Sequence, residues 1–245
     1  MAQVNDNLFL ISGESATGKS LSLKNLENPE GVIYLNCEAG KKLPFRNKFK
    51  SFTVTHPEHV YEAFDALEQG KLEGHTIVID TLTYLMDMYE SQCVLGSPDT
   101  QKAWGNYQQF FKNLMQDYVA RSTANVIFLG HTKSVYNEAR MMMESCVPVK
   151  GALKNNGIES YFSLVISTKK MSLRELEPYR EGNKLLTVSP LEESLGFKHV
   201  FQTMITKETI GERIRGPMDM WDTCETFINN DAQLVMQRLR EYYAD

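Results

Sequence analysis

Eight residues near the start of the chain have the types and the spacing needed to hold phosphate groups. They form the run Gly13-Glu14-Ser15-Ala16-Thr17-Gly18-Lys19-Ser20. This run fits the pattern G-x-x-x-x-G-K-[ST], in which the glycines let backbone N–H groups converge on phosphates. The lysine then reaches the β- and γ-phosphates, and the serine hydroxyl binds Mg²⁺. We therefore predict that residues 13–20 bind ATP with Mg²⁺ and that Lys19 also supports catalysis, although no motif in the sequence excludes GTP.

A carboxylate that can assist the metal ends an apolar run. Residues 76–79 (Thr-Ile-Val-Ile) predict a buried parallel strand, and Asp80 follows them directly. In an open parallel sheet, ligands bind at the carboxyl ends of the strands, which is also the edge of the phosphate loop. We therefore predict that Ser20 and Asp80 hold Mg²⁺. The alternative is that Asp80 or Thr81 caps a following helix.

The elements that must position these residues alternate along the chain. The apolar strand candidates are residues 7–12, 32–36, 51–54, 76–80 and 125–130. Helical patterns cover residues 19–26, 60–69 and 104–120. Strands that alternate with helices predict an α/β fold, with a mainly parallel sheet flanked by helices. Beyond them we predict strands at 163–167, 184–189 and 200–206, and a helix at 231–243.

Composition and charge limit the possible partners. Hydrophobic residues make up 42% of the 245 residues and charged residues 23%, as in soluble globular proteins. No apolar run approaches the ~20 residues that cross a bilayer, and no signal peptide is visible, so we expect a cytoplasmic protein without membrane contact. The net charge of −5 argues against general attachment to nucleic acid. Residues 150–215 hold 11 Lys/Arg against 8 Asp/Glu, so any contact with a polyanion is expected there.

Two features resemble the RecA, DnaB and KaiC class of ATPases. Residues 36–38 (Asn-Cys-Glu) follow a predicted strand, and no acidic residue directly follows Asp80. In that class, a glutamate beyond the strand after the phosphate-loop helix polarises the attacking water. The resemblance implies that Glu38 orients this water and accepts its proton. The alternative is an exposed loop glutamate beside Gly40.

The same resemblance assigns a role to His131, which follows the strand at 125–130. In that class, a polar residue at this position senses the γ-phosphate and precedes a mobile DNA-binding loop. Residues 132–150 would form this loop, with Tyr136 stacking on bases. Its cations are Lys133, Arg140 and Lys150. The alternative is that His131 is structural, as a lone histidine more often is, and that the loop cations are ordinary solvated residues. Methionines 141–143 suit either a packing edge or a subunit contact.

RecA- and DnaB-type proteins also have a basic residue near the end of a late strand, which enters the ATP site of the neighbouring subunit. Lys207, at the predicted end of the strand 200–206, matches this residue. The second basic residue, usual two positions later, is absent because Thr209 occupies its place. Arg213 or Arg215 would then complete the contact. The alternative is a solvated lysine at the end of a strand.

The whole chain is similar to compact RecA-like ATPases of tailed phages, of the Sak type, which anneal single strands or exchange them. This resemblance covers roughly residues 8–221. It implies one RecA-like domain over residues 1–245: a core at about 7–170, a β-rich C-terminal extension at about 171–225 and a terminal helix. It also implies a homo-oligomer that binds single-stranded DNA, with a single-stranded-DNA-binding protein as a further partner.

Two other functions stay open at this point. One is a helicase motor of the DnaB type, although no collar domain precedes Gly13. The other is a regulator that does not bind DNA and uses ATP to control its assembly with a partner protein.

Overall fold

Short runs of apolar and β-branched residues form the strands that position the site. The computed structural model describes residues 5–244. Its strands are β1 (Leu8–Gly13), β2 (Val32–Asn36), β3 (Lys50–Thr53), β4 (Thr76–Asp80), β5 (Asn125–His131), β6 (Lys133–Asn137), β7 (Met142–Cys146), β8 (Leu164–Ser172), β9 (Phe197–Gln202) and β10 (Phe227–Asn229). Eight of them form one sheet in the order β10-β9-β8-β1-β5-β4-β2-β3, and β6 pairs with β7 in a separate hairpin.

The six strands from β8 to β3 run parallel, and β9 and β10 are added antiparallel at one end. Because parallel strands point the same way, their last residues meet at one edge of the sheet. Gly13 is in register with His131, and Asn36 with Asp80. The predicted α/β fold with a mostly parallel central sheet is confirmed.

Helices cover both faces of this sheet. They are α1 (His59–Glu68), α2 (Leu82–Tyr89), α3 (Thr100–Asn113), α4 (Leu153–Asn156), α5 (Leu173–Leu176), α6 (Pro190–Leu195) and α7 (Ala232–Tyr243). Alternate strand residues enter different cores, since side chains of a strand point to opposite faces. Leu10 packs in the core with α1, α2 and α3, whereas Phe9 and Ile11 pack with α7. Within residues 5–244, no helix has the length and apolar character needed to cross a membrane.

The helix predicted at 19–26 is instead a short 3-10 segment, Ser20–Asn25. The Ser22 hydroxyl donates to the Lys19 carbonyl (2.6 Å) and so competes with the backbone pattern of an α-helix. Asn28 then adopts a left-handed conformation before Pro29, which ends the turn. The dipole expected from a longer helix is therefore reduced, and the loop amides remain as the phosphate donors.

The strand predicted at 184–189 does not form. Residues 184–189 make one backbone hydrogen bond to the end of β10, in which the Asn229 N–H donates to the Leu185 carbonyl. The Asn229 side chain supplies the next contacts, accepting from Thr187 N–H and donating to the Thr187 hydroxyl. The side-chain amide of Asn229 thus takes the place of the next backbone hydrogen bonds that a strand at 184–189 would make with β10. The strand predicted at 200–206 is also shifted, because β9 ends at Gln202.

The segment predicted as a mobile loop after His131 contains the β6–β7 hairpin. Its strands lie in antiparallel register, with Lys133 opposite Cys146 and Asn137 opposite Met142. A contact between the Ser145 N–H and the Gly211 carbonyl (2.9 Å) ties the hairpin to the chain beyond β9. Helix α2, which the sequence suggested only as an alternative interpretation of Asp80 and Thr81, begins after Thr81, whose side chain accepts from the Tyr84 N–H. Thr81 is therefore the cap, rather than Asp80.

Candidate active site

Both glycines of the phosphate loop are required by what packs against them. A Cβ atom on Gly13 would lie 2.1 Å from the Thr168 hydroxyl of β8, a distance that no side chain tolerates. Gly18 has a φ of +105° and its Cβ would lie 2.7 Å from the amide nitrogen of Asn230. The loop therefore approaches its neighbours more closely than any other residue type permits.

Lys19 lies under this loop. Its side chain donates to the carbonyls of Gly13 (3.0 Å) and Glu14 (2.8 Å), and only 6% of the residue is exposed. Burial lowers the pKa of Lys19 to about 8, against the opposing effect of the carboxylates of Asp80 and Glu38. A buried ammonium beside the loop is a point charge suited to phosphate oxygens.

The residues predicted for the metal meet at the end of β4. Asp80 Oδ2 accepts hydrogen bonds from the Ser20 hydroxyl (2.9 Å) and the Tyr34 hydroxyl (2.6 Å). Its Oδ1 is buried and has no hydrogen-bond partner within residues 5–244. Burial raises the pKa of Asp80 above its usual range. A buried carboxylate oxygen without a partner, beside a serine hydroxyl, suits Mg²⁺, which prefers oxygen ligands.

Glu38 follows β2 at the same edge, and both of its carboxylate oxygens are engaged. Oε1 accepts from His131 Nε2 (3.0 Å), and Oε2 accepts from Lys41 Nζ (2.7 Å). Burial alone would raise the pKa of Glu38, but the hydrogen bonds from Lys41 and His131 outweigh it and hold this pKa below its usual range. His131 is kept in place by its own N–H, which donates to the Thr83 hydroxyl (3.0 Å).

These groups surround one cleft of about 290 Å³. Its walls are formed by Ser15, Ala16, Gly18, Lys19, Ser20, Leu21, Tyr34, Glu38, Lys41, Lys42, Leu43, Pro44, Asp80, His131 and His199. Of the other predicted loop residues, Glu14 contributes its carbonyl to Lys19, and Thr17 turns its hydroxyl back to the Glu14 carbonyl (2.8 Å). The structure thus brings together the residues predicted to bind phosphate and Mg²⁺ and a carboxylate that can act as a base.

The model of the AAA domain family matches residues 5–196. The chain belongs to the AAA domain family. The matched residues include the phosphate loop, Glu38, Asp80 and His131, and this AAA domain is a P-loop ATPase. A P-loop ATPase domain implies a bound nucleotide, usually with Mg²⁺. A search among curated proteins found no match.

Lys207, which lies beyond the matched residues, is not part of the cleft of this AAA domain. It was predicted to end a strand, but β9 ends five residues earlier and Lys207 lies in a turn, 91% exposed. Its one ion-pair partner within residues 5–244 is the exposed Glu208, at 3.6 Å. Arg213 pairs with the buried Glu159 (3.4 Å), and the backbone of Arg215 is bridged to β8.

Two side chains that hold Asp80 and Glu38 in the cleft of the AAA domain were not predicted from the sequence. Tyr34 holds Asp80, and burial, followed by the charge of Asp80, raises the pKa of its hydroxyl. A tyrosine within the otherwise apolar run of β2 was the available signal, because a buried hydroxyl needs a partner. Lys41 holds Glu38, and its position three residues later was visible in the sequence.

Two further residues were missed on the loop side. The ring of His199 in β9 donates from Nδ1 to the Thr17 carbonyl (2.8 Å), because a carbonyl can only accept. The Asn230 amide donates to the Gly18 carbonyl (2.9 Å). These contacts span 182 and 212 residues of sequence, so no local pattern could have revealed them.

Proposed function

We propose that this AAA domain is a RecA-like ATPase, stimulated by single-stranded DNA, that works as a homo-oligomer in phage-type recombination by annealing or strand exchange. The proposal rests mainly on the hydrogen bond between His131 and Glu38 (3.0 Å). Through it, the proposed base contacts the last residue of β5, and the exposed β6–β7 hairpin begins two residues later at Lys133. A rearrangement of Glu38 around the γ-phosphate can therefore reach the hairpin through His131.

The proposed chemistry uses the groups of the cleft. The Glu38 carboxylate orients the attacking water and accepts its proton, while the water oxygen bonds to the γ-phosphorus and the bond to the ADP oxygen breaks. Lys19 balances the negative charge of the phosphate oxygens. Ser20 and Asp80 would hold Mg²⁺, which would supply further positive charge to the reaction.

The hairpin offers a stacking residue and a free cation. Tyr136 is 50% exposed, and stacking of a base on an aromatic ring contributes about 1–3 kcal/mol. Lys133 has no ion-pair partner within residues 5–244, whereas Arg140 pairs with Glu144 (3.1 Å) and Lys150 with Glu90 (2.6 Å). We therefore expect Lys133 and Tyr136 to contribute more to DNA binding than the two paired cations.

Sharing of the ATP site between copies is supported by the position of Lys207. Because Lys207 does not line its own cleft and extends into solvent, it is free to enter the cleft of a neighbouring copy. On this proposal, Lys207→Ala and Lys19→Ala proteins are each inactive, and mixing them restores turnover in part. Mixed oligomers that form but stay inactive would rule out the shared site.

The main test compares ATP turnover with and without a single-stranded oligonucleotide, together with mass photometry in a non-hydrolysable ATP analogue. We expect DNA to raise the turnover of the wild type. Lys133→Ala with Tyr136→Ala should bring the ratio of stimulated to basal turnover close to one, and the control Lys71→Ala should keep the wild-type ratio. Equal turnover with and without DNA in the wild type contradicts the proposal, and unwinding of forked DNA would instead identify a helicase.

A second candidate is a regulator that binds a partner protein, and the composition of the hairpin favours it. Val135, Met141 and Met143 are exposed large apolar residues of the hairpin. The charges of Lys133 and Arg140 are balanced by two glutamates in the same hairpin, and balanced, apolar surfaces suit protein partners. This candidate predicts turnover that is unaffected by DNA.

A further inference from the structure

Five basic residues and no acidic one lie within the ten positions 41–50, although the chain as a whole has a net charge of −5. We call residues 41–50 the basic segment; its cations are Lys41, Lys42, Arg46, Lys48 and Lys50. It begins three residues after Glu38 and runs along the surface to β3, the strand at the open end of the sheet. The charge balance along the sequence had instead favoured polyanion contacts in residues 150–215.

The cations of this segment are available to a ligand to different degrees. The side chains of Lys42 and Arg46 are exposed and have no ion-pair or hydrogen-bond partner within residues 5–244. Lys48 pairs with Glu30 (3.0 Å), but both side chains are largely exposed, and such a pair contributes little. Lys50 donates to the Glu73 carbonyl (2.6 Å). Phosphate groups can thus reach Lys42 and Arg46 without breaking a strong contact.

A groove of about 570 Å³ runs between the basic segment and β2 and β3. Lys42, Arg46 and Phe45 line it, with the amide side chain of Asn47. The Phe45 ring meets Phe49 edge-on (6.0 Å between centroids), which holds it in place. Cations interleaved with an aromatic ring along a groove match the backbone and bases of a single-stranded nucleic acid.

The first cation of the segment also holds the proposed base. Lys41 Nζ lies 2.7 Å from Glu38 Oε2, while Oε1 accepts from His131. Each Glu38 oxygen thus already accepts one hydrogen bond, and the bond from Lys41 lowers the pKa of the carboxylate that must take up the proton. The Lys41 side chain is 65% exposed, so an anion from solvent can compete for it.

We propose that the basic segment binds the phosphate backbone of single-stranded DNA, and that a phosphate which draws Lys41 away frees Glu38 for hydrolysis. Lys41 is then a positioning residue that acts through Glu38. This inference rests on the proposed function, since it assumes that Glu38 is the base and that the ligand is single-stranded DNA. It adds a second contact site, on the side of Glu38 opposite to His131 and the hairpin.

The release of Glu38 is tested without any DNA. Lys41→Met should raise kcat by about two- to fivefold, the scale of an exposed ion pair, with KM for ATP unchanged or higher. Lys41→Arg should retain the wild-type kcat, because it keeps the cation. Lys71→Met, at an exposed lysine in the turn between α1 and β4, serves as the matched control. A kcat of Lys41→Met no higher than that of the control overturns the restraint on Glu38.

The binding site is tested by the salt dependence of affinity for an oligonucleotide of thymidines. Lys42→Ala with Arg46→Ala should lower the slope of log affinity against log salt by about 1.4, since each phosphate contact to a single strand contributes ~0.7. DNA should also stimulate Lys41→Met less than the wild type. A wild-type slope in the double variant overturns the site.

The two proposals fail in distinguishable ways. If the wild type binds and responds to DNA while the double variant keeps its slope, this inference is wrong and the proposed function stands. If the wild type ignores DNA, the proposed function and the binding site are both wrong, and the kcat of Lys41→Met still decides whether Lys41 restrains Glu38.

Discussion

The two ends of the phosphate cleft are held in different ways. At the loop end, the hydroxyl of Thr168 and the side chains of His199 and Asn230 bond to Thr17 and Gly18. These partners belong to β8, β9 and the residue after β10, so they are part of the sheet or adjoin it. At the other end, Glu38 is held by Lys41, which is exposed to solvent, and by His131, which precedes an exposed hairpin.

This difference means that phosphate binding and the control of hydrolysis depend on contacts of different kinds. Hydrogen bonds inside the fold respond little to ions in solution, whereas an exposed ion pair is screened by salt and can be displaced. The loop that holds phosphates is therefore fixed by tertiary structure. The position of the proposed base depends on contacts that a charged ligand can exchange.

The largest effect is expected from a substitution of Glu38, at the end of the cleft that solvent-exposed contacts hold. Glu38→Gln keeps the shape of the side chain and a carbonyl oxygen for Lys41 but cannot accept a proton, so kcat should fall by about 100-fold or more. Binding of a fluorescent ATP analogue with Mg²⁺ should change little. Steady-state turnover and equilibrium titration measure the two quantities, and a wild-type kcat in Glu38→Gln, together with slow turnover in Asp80→Asn, would assign the base elsewhere.

A smaller effect is expected from forcing the loop away from its partner. Gly18→Ala adds a Cβ at a φ of +105° and 2.7 Å from Asn230, so we expect about a tenfold loss of ATP affinity from strain of roughly 1–3 kcal/mol. Gly18→Ala with Asn230→Gly removes the collision but not the strain in φ, and should recover part of the affinity. No recovery would show that Asn230 does not set the shape of the loop.

The smallest effect is expected from His199, and it tests whether the two ends of the cleft respond differently to salt. His199→Ala removes one hydrogen bond to the loop, which should weaken ATP binding by about two- to tenfold. The factor between wild type and variant should be the same at low and high salt, unlike the effect of Lys41→Met on kcat. His199→Gln, which retains an N–H donor, is the control. A factor that shrinks with salt would mean that His199 acts through its charge.

Much of the site follows from local sequence. Gly13, Asp80 and His131 each end an apolar strand, and Glu38 lies two residues beyond one, so a parallel sheet brings them to the same edge. Their chemistry was predicted because each pattern occupies only a few neighbouring residues. The α/β fold was predicted for the same reason, since strands buried on both faces have continuous apolar runs.

The remainder depends on contacts between distant residues or on competition with side chains. The Asn229 amide replaces a ladder pair beside residues 184–189, and the Ser22 hydroxyl competes for the Lys19 carbonyl, so both segments departed from their patterns. The basic segment was visible in the sequence, but the charges summed over residues 150–215 favoured polyanion contacts there instead. Which lysines and arginines of the basic segment lack an ion-pair partner depends on residues that are distant in the sequence, and only the fold reveals it.

The contact between Asn230 and Gly18 also has a consequence for synthesis. The phosphate loop leaves the ribosome early, but its brace follows 212 residues later, which takes about 10–40 s at ordinary rates of translation. Until then the loop lacks one of the partners that hold it, and ATP, which stabilises only the folded state that it binds, stabilises the unfinished chain less. Nucleotide should therefore protect the finished chain from proteolysis far better than ribosome-bound chains that end before β9.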